Sequence, residues 1–144
     1  MTATPTVALP RPVHGVKVHS RQTLGACAPT YGRVELDFEP VPTQDASTIE
    51  FACSAEPEPS PEYEVALAQG VMRELAAADT DDSGTRRGSP VSARVIVRAM
   101  SWHWVDTCEL TFIRLGALAV REALACVAED REPQLIETRV RLLF

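Results

Sequence analysis

The 144-residue sequence predicts an α+β fold, a two-layer sandwich in which a sheet is covered by two helices. Three observations predict it. Five stretches alternate apolar and polar residues with the period of two that a half-buried strand requires. Two stretches repeat apolar residues at helical spacing. Their order, β-β-β-α-β-α-β, lays down strands before helices that can cover one face of them. A chain of this length buries roughly 70% of its unfolded surface, so residues 1–144 are expected to form one domain around one core without a metal or disulfide staple.

Residues 1–13 hold three prolines and are expected to be an extended or frayed arm. From Gly15 the chain alternates, with Val16 and Val18 facing one way and Lys17, His19 and Arg21 the other, giving a strand with an apolar and a basic face. Gln22–Gly32 breaks the pattern with glycine and proline and reads as a loop. Arg33–Phe38 alternates again, with Val34, Leu36 and Phe38 inward, so the two strands form a long-looped hairpin. Pro40 and Pro42 end it. Thr48–Cys53 gives a third strand with Ile49, Phe51 and Cys53 on its apolar face.

The first helix starts with Ser60 as N-cap, Pro61 at the first helical position and Glu62 and Glu64 in the positive first turn, and runs to about Ala77. Its expected buried stripe is Val65, Ala68, Met72, Leu75 and Ala76. Gly70 costs about 1 kcal/mol relative to alanine in mid-helix, which close approach to another backbone would justify. Residues 78–90 read as a flexible loop. Val91–Ala99 is a strand with Val95 and Val97 on one face and Arg94, Ile96 and Arg98 on the other. Asp106 and Glu109 form a D-x-x-E capping pattern for a second helix, which starts near Cys108 and buries Phe112, Ile113, Gly116, Ala119, Val120, Ala123, Leu124 and Val127. Ile136–Phe144 alternates as a last strand.

Net charge is −6 but unevenly placed. Residues 1–34 and 83–121 each carry +4, against −12 over residues 35–82. Two basic segments within an acidic chain point to a polyanionic partner. The four cysteines lack C-x-x-C spacing, which fits a reduced, cytoplasmic compartment, and no apolar run approaches the roughly 20 residues of a membrane span.

The richest chemistry lies in Ser101–Phe112, S-W-H-W-V-D-T-C-E-L-T-F. Trp102 and Trp104 are candidates for stacking on nucleic-acid bases. His103, Asp106 and Cys108 invite a nucleophilic reading, but Asp106 is accounted for as a helix cap and three residues so close in sequence make no triad without geometry, so no catalytic residue is assigned. His103, His19 and Cys27 match no zinc-ligand spacing, so no metal and no cofactor is assigned either.

Several segments, in one order, carry a resemblance. They are Pro5–Val13, Gln22–Phe38 with its Y-G-R-V-E-L-D-F, Ile49–Ala52, Tyr63–Leu75 with its mid-helix Gly70, and Ser101–Leu124. In the last, His103, Val105, Asp106, Glu109, Phe112, Gly116, Ala119, Glu122, Ala123 and Leu124 fall in register. Together they resemble domain IV of translation elongation factor G. That resemblance implies a four-stranded sheet, two helices and a left-handed crossover. It also implies a domain that reaches into the small-subunit decoding site during translocation, on a tip built from two loops, here Gln22–Gly32 and Ser101–Cys108. The implied partner is the small ribosomal subunit or ribosomal RNA. His103 is the leading contact, with Trp102, Trp104, Gln22, Lys17, His19, Arg21 and Arg33 beside it.

The chain also departs from the family pattern. Leu24–Thr30 reads L-G-A-C-A-P-T, Trp104 stands where the family has Asp, and Cys108 where it has Ser. No G-x-x-x-x-G-K-[ST] loop is present, so the expectation is a non-enzymatic module without its own GTPase, for which a separate GTPase is a candidate partner. The hydrophobic Leu24–Pro29 stretch supports an alternative, a protein-interaction or homodimerising module that keeps the fold but not the ribosomal role.

Overall fold

The computed structural model describes residues 6–22, 32–42, 46–52, 61–76, 90–101 and 109–140; for 21, 22 and 138–140 the description is of the backbone alone. The elements are β1 (Val7–Ala8), β2 (Val13–Gln22), β3 (Gly32–Pro40), β4 (Thr48–Phe51), α1 (Pro61–Ala76), β5 (Val91–Ser101), α2 (Glu109–Glu129) and β6 (Ile136–Val140). The sheet has the order β1-β5-β3-β2-β6, with β4 also paired to β5. The expected hairpin is present: β2 and β3 are antiparallel, with Val16 opposite Leu36 and Val18 opposite Val34. β3 and β5 are antiparallel, while β4 with β5 and β2 with β6 are parallel. Parallel partners require crossovers. α1 makes one between neighbouring β4 and β5, and α2 makes the other from β5 past β3 and β2 to β6.

Period-two alternation places Val16, Val18, Val34, Leu36, Phe38, Val95 and Val97 on the face beneath the helices, each no more than 1% exposed. Leu67, Val71, Phe112, Leu115, Ala119 and Val120 close the core from above. Each large side chain so buried contributes about 1.5–3 kcal/mol. Two bulges adjust the alternation. In β2 the register shifts between Val13 and Val16, where Gly15 has φ 76° and its N–H donates to Asp37 Oδ1 at 2.8 Å, so both valines point inward. In β5, Glu35 faces Ala99 while Leu36 faces Val97, so Arg98 is extra and Met100 turns into the core.

The arm expected to be extended or frayed contributes a strand. Val7 N–H donates to the Pro90 carbonyl at 2.8 Å and Leu9 N–H to the Ser92 carbonyl at 3.0 Å, and Leu9 is buried. β2 therefore begins at Val13, ahead of the expected Gly15.

The stripe predicted for α1 is corrected in phase. Val65 is 63% exposed, and the buried residues are Ala66, Leu67, Gly70, Val71 and Leu75. The cause is the helix crossing. A Cβ on Gly70 would fall on the Ile113 carbonyl of α2, and one on Gly116 would lie 2.7 Å from the Leu67 carbonyl oxygen and 2.9 Å from the Val71 nitrogen. The two backbones touch at these glycines, and that contact sets which face of α1 turns inward. Ser60, Cys53, Asp106 and Cys108 lie outside the described residues, as does nearly all of the predicted 78–90 loop.

The C-terminal end of α2 is closed by a network that alternation does not predict. Asp130 adopts φ 51°, and Arg131 N–H donates back to the Cys126 carbonyl at 3.0 Å, a left-handed helix cap. Arg131 then grips buried Glu122 in a two-pronged pair, Nη1 to Oε2 at 2.7 Å and Nη2 to Oε1 at 3.0 Å. Gln134 N–H adds a hydrogen bond of 2.8 Å to Oε2. Arg11 of the arm donates to the Cys126 and Arg131 carbonyls at 2.9 and 3.1 Å. The arm, the helix end and the approach to β6 are thereby tied together.

Candidate functional site

The strand register brings the flanks of both predicted tip loops to one end of the sheet. β2 ends at Gln22 and β3 starts at Gly32, with Ser20 opposite Gly32 and His19 opposite Arg33. On its other side Arg33 lies opposite Ser101, the last residue of β5. β6 ends at the same level, Gln22 opposite Val140. The first turns of α2 lie over this end: a Cβ on Gly32 would meet Leu115 Cδ1 at 2.8 Å and Thr111 Cγ2 at 3.0 Å. The start of α1 joins it through Tyr63, whose ring centroid is 5.3 Å from that of Phe112. Residues 23–31 and 102–108 are thus spanned by ends that share one pole of the molecule, hereafter the loop end.

Among the predicted contacts, Lys17 and Arg33 are exposed and His19 is half-buried between them. Arg21 and Gln22 occupy the last two positions of β2. His103, Trp102 and Trp104 lie outside the described residues, as does the Leu24–Pro29 stretch. One position not singled out from sequence joins this set: Arg139 of β6 lies opposite Arg21 in the parallel ladder. Alternation had marked a C-terminal strand, but only the register reveals its neighbour.

Charge on the opposite half of the open sheet face is spent internally. Arg94 donates through Nε and Nη2 to both Glu50 oxygens at 3.0 Å and through Nη1 to Glu39 at 3.1 Å. Arg98 Nε donates to Asp37 Oδ2 at 2.8 Å, and His14 Nε2 lies 3.6 Å from Glu39. Burial pushes the Asp37 carboxyl up, but the Arg98 guanidinium and the Gly15 N–H outweigh it and hold the group below its ordinary value. Arg94 likewise lowers Glu50 by its hydrogen bonds. On the helices Arg121 pairs with Glu74 at 3.0 Å. Three arginines of residues 83–121 are therefore not free basic surface: Arg94, Arg98 and Arg121 are committed to strand and helix carboxylates. On the open sheet face near the loop end, the N-terminal basic segment supplies the exposed cations Lys17 and Arg33, which form no ion pair among the described residues.

Glu122 is the one carboxylate held inside among the described residues. Hydrogen bonds from Arg131 lower it below its ordinary value despite burial, while burial and the nearby Glu122 charge push the Cys126 thiol up. This arrangement lies at the opposite end of α2 and is a structural clip. Among the described residues no cluster of His, Cys, Asp and Glu has the makings of a metal site, and no helix is long and apolar enough to cross a membrane.

No family model matches the chain. Curated relatives do. The chain is 29% identical over 134 residues to elongation factor G of Thermotoga petrophila and, to the same extent, to that of Thermotoga sp. strain RQ2, covering 92% of this chain and 18% of each relative. It thus spans less than a fifth of the length of the relatives it matches. Among solved structures, a protein of Thermus thermophilus superposes with a TM-score of 0.58 and 24% identity, over 83% of this chain and 16% of that one. The chain has an elongation factor G domain IV-like fold, and over nearly its whole length it is similar in sequence to one segment of that translation factor.

Proposed function

We propose that the chain is a translation-factor-like, non-catalytic module that binds the small ribosomal subunit, or its RNA, through the loop end of the sheet. The observation that carries this reading is the convergence just described. The ends of β2, β3 and β5 that flank residues 23–31 and 102–108 meet at one pole, and the exposed Lys17 and Arg33 stand beside it. The likeness to elongation factor G makes translation the context. Lysine and arginine at such a pole neutralise phosphates and release counterions, so binding of this kind weakens steeply with salt. His103 is the leading contact at the tip, Trp102 and Trp104 offer stacking surfaces for unpaired bases, and Gln22 and Arg21 support them from the strand end. GTP hydrolysis, where the role requires it, falls to a separate chain, and the module works in the cytoplasm where ribosomes are.

The test is co-sedimentation with purified small ribosomal subunits at low and moderate salt. The expected result is association at low salt, reduced at moderate salt and weakened by His103→Ala. Absence of association under both conditions would overturn the reading.

A further inference from the structure

Among the described positions at the loop end, basic residues outnumber acids on the sheet and acids outnumber basic residues on the helices, and we infer that RNA docks on the open sheet face there, with the helix layer turned away. This rests on the ribosome- or RNA-directed reading above and assigns it a side. On the sheet side, Lys17 and Arg33 are exposed. Arg21 and Arg139 occupy facing ladder positions at the same end. Glu35, opposite Lys17, and Glu137, opposite His19, are the acidic positions among them, two against the four basic positions 17, 21, 33 and 139 of the ladder. On the helix side, Glu62 and Glu64 occupy the first turn of α1 and Glu109 the first turn of α2, with Arg114 offsetting one of the three. The two helix starts adjoin through Tyr63 and Phe112, so these carboxylates belong to the layer opposite the cations at the same pole.

The patch also has a lower boundary. Beyond the Lys17–Glu35 level the open face belongs to the Asp37–Arg98 and Glu39–Arg94–Glu50 pairs, which present no net positive charge to a polyanion. The basic ladder positions of β2 therefore run from Lys17 to Arg21, about 13 Å at roughly 3.3 Å per residue, with basic positions on the neighbouring strands β3 and β6 beside them. Charge complementarity on one layer and repulsion on the other select a single orientation of approach.

Two double variants separate the layers: Lys17→Ala with Arg33→Ala on the sheet, and Glu62→Gln with Glu64→Gln on the helices. All four side chains are exposed or half-buried, and matched melting curves establish that each variant is folded. Binding to purified small subunits is measured across salt concentrations, with ribosomal RNA fragments and poly-glutamate as competitors. The sheet variant is expected to make the log affinity–log salt slope shallower by about 2, one unit per lost phosphate contact. That corresponds to weakening of up to about 100-fold near 0.1 M salt. The helix variant is expected to bind as the parent does or more tightly, and RNA, not poly-glutamate, should displace the chain. If the parent binds but both variants are weakened equally, or only the helix variant is, the assigned side is wrong. Equal displacement by poly-glutamate would make the partner an acidic protein, and failure of the parent chain to bind would remove the functional reading itself.

Discussion

Replacing Gly116 or Gly70 by alanine separates two opposed effects whose sizes can be worked out. Alanine is the better helix former by about 1 kcal/mol, so an exposed mid-helix glycine gains by the exchange. Here the new Cβ at Gly116 would stand 2.7 Å from the Leu67 carbonyl oxygen, about 0.7 Å short of the 3.4 Å at which ordinary contact begins. The obstructing atoms are backbone, so no rotamer change relieves them and α1 must move off α2. A gap of 0.5–1 Å forfeits a quarter to a half of each dispersion contact it opens. Spread over Leu67, Val71, Phe112 and Leu115, each worth about 1.5–3 kcal/mol when buried, a quarter is roughly 2 kcal/mol, and the strain of overpacking adds about 1 kcal/mol. Net of the propensity gain, Gly116→Ala should destabilise by about 2 kcal/mol, a Tm decrease of roughly 6–8 °C at this chain length. Gly70→Ala should cost more, because its Cβ would fall on the Ile113 carbonyl itself. Thermal and urea melts followed by circular dichroism measure both. If either variant proves as stable as the parent, or gains the ~1 kcal/mol of propensity, the close crossing that sets the phase of α1 is refuted.

Four further outcomes follow from the clip at the end of α2. Glu122→Gln weakens the two-pronged pair with Arg131 and should cost about 2 kcal/mol in urea unfolding, less than the loss of a fully buried partner because Arg131 is 26% exposed. Because the Glu122 carboxyl is held below its unfolded value of about 4.3, its contribution is complete above that pH and is lost as the pH falls through the folded value. The parent should therefore destabilise on acidification below about pH 4.3 more steeply than Glu122→Gln, and parallel acid limbs in the two melting series would contradict this. Asp130→Gly removes the penalty of a side chain at φ 51° and should raise stability by about 0.5–1 kcal/mol in the same melts. Arg11→Ala frees the Cys126 and Arg131 carbonyls and should lower Tm by a few degrees, since a side-chain hydrogen bond is worth about 1 kcal/mol.

The strands were legible because their chemistry is local. Val16, Val18, Val34, Leu36, Phe38, Val95 and Val97 alternate with polar residues, and each lies where alternation puts it. Most of the α2 stripe was legible for the same reason: Phe112, Gly116, Ala119, Val120 and Ala123 are buried, while Ile113, Leu124 and Val127 pack at its margin. The phase of α1 was misread because Val65, Ala68, Met72 and Leu75 make a plausible stripe on hydropathy alone, whereas the real face is centred on Gly70 and Val71. The mid-helix glycine was the usable signal: a residue kept for close approach must itself face the neighbour.

Other features depend on partners distant in sequence. Nothing in the alternation or helical spacing marks Glu122 as buried; Arg131 and Gln134 fold over it. Leu9 reads as part of a loose arm until its N–H meets Ser92. Arg94 and Arg98 read as a basic segment until β3 and β4 bring Glu39, Glu50 and Asp37 against them. For the candidate site, sequence supplied the basic strand and the loops. The register supplied their meeting at one end and added Arg139 opposite Arg21.

Whether the loop end faces RNA of the small subunit is decided by placing a photoreactive amino acid at position 103 and irradiating the chain mixed with small ribosomal subunits. Adducts to ribosomal RNA around the decoding site are expected, strong at low salt and diminished as salt rises. Efficient labelling confined to proteins, or no labelling above that of a probe placed at position 74 on the helix layer, would overturn the proposed docking.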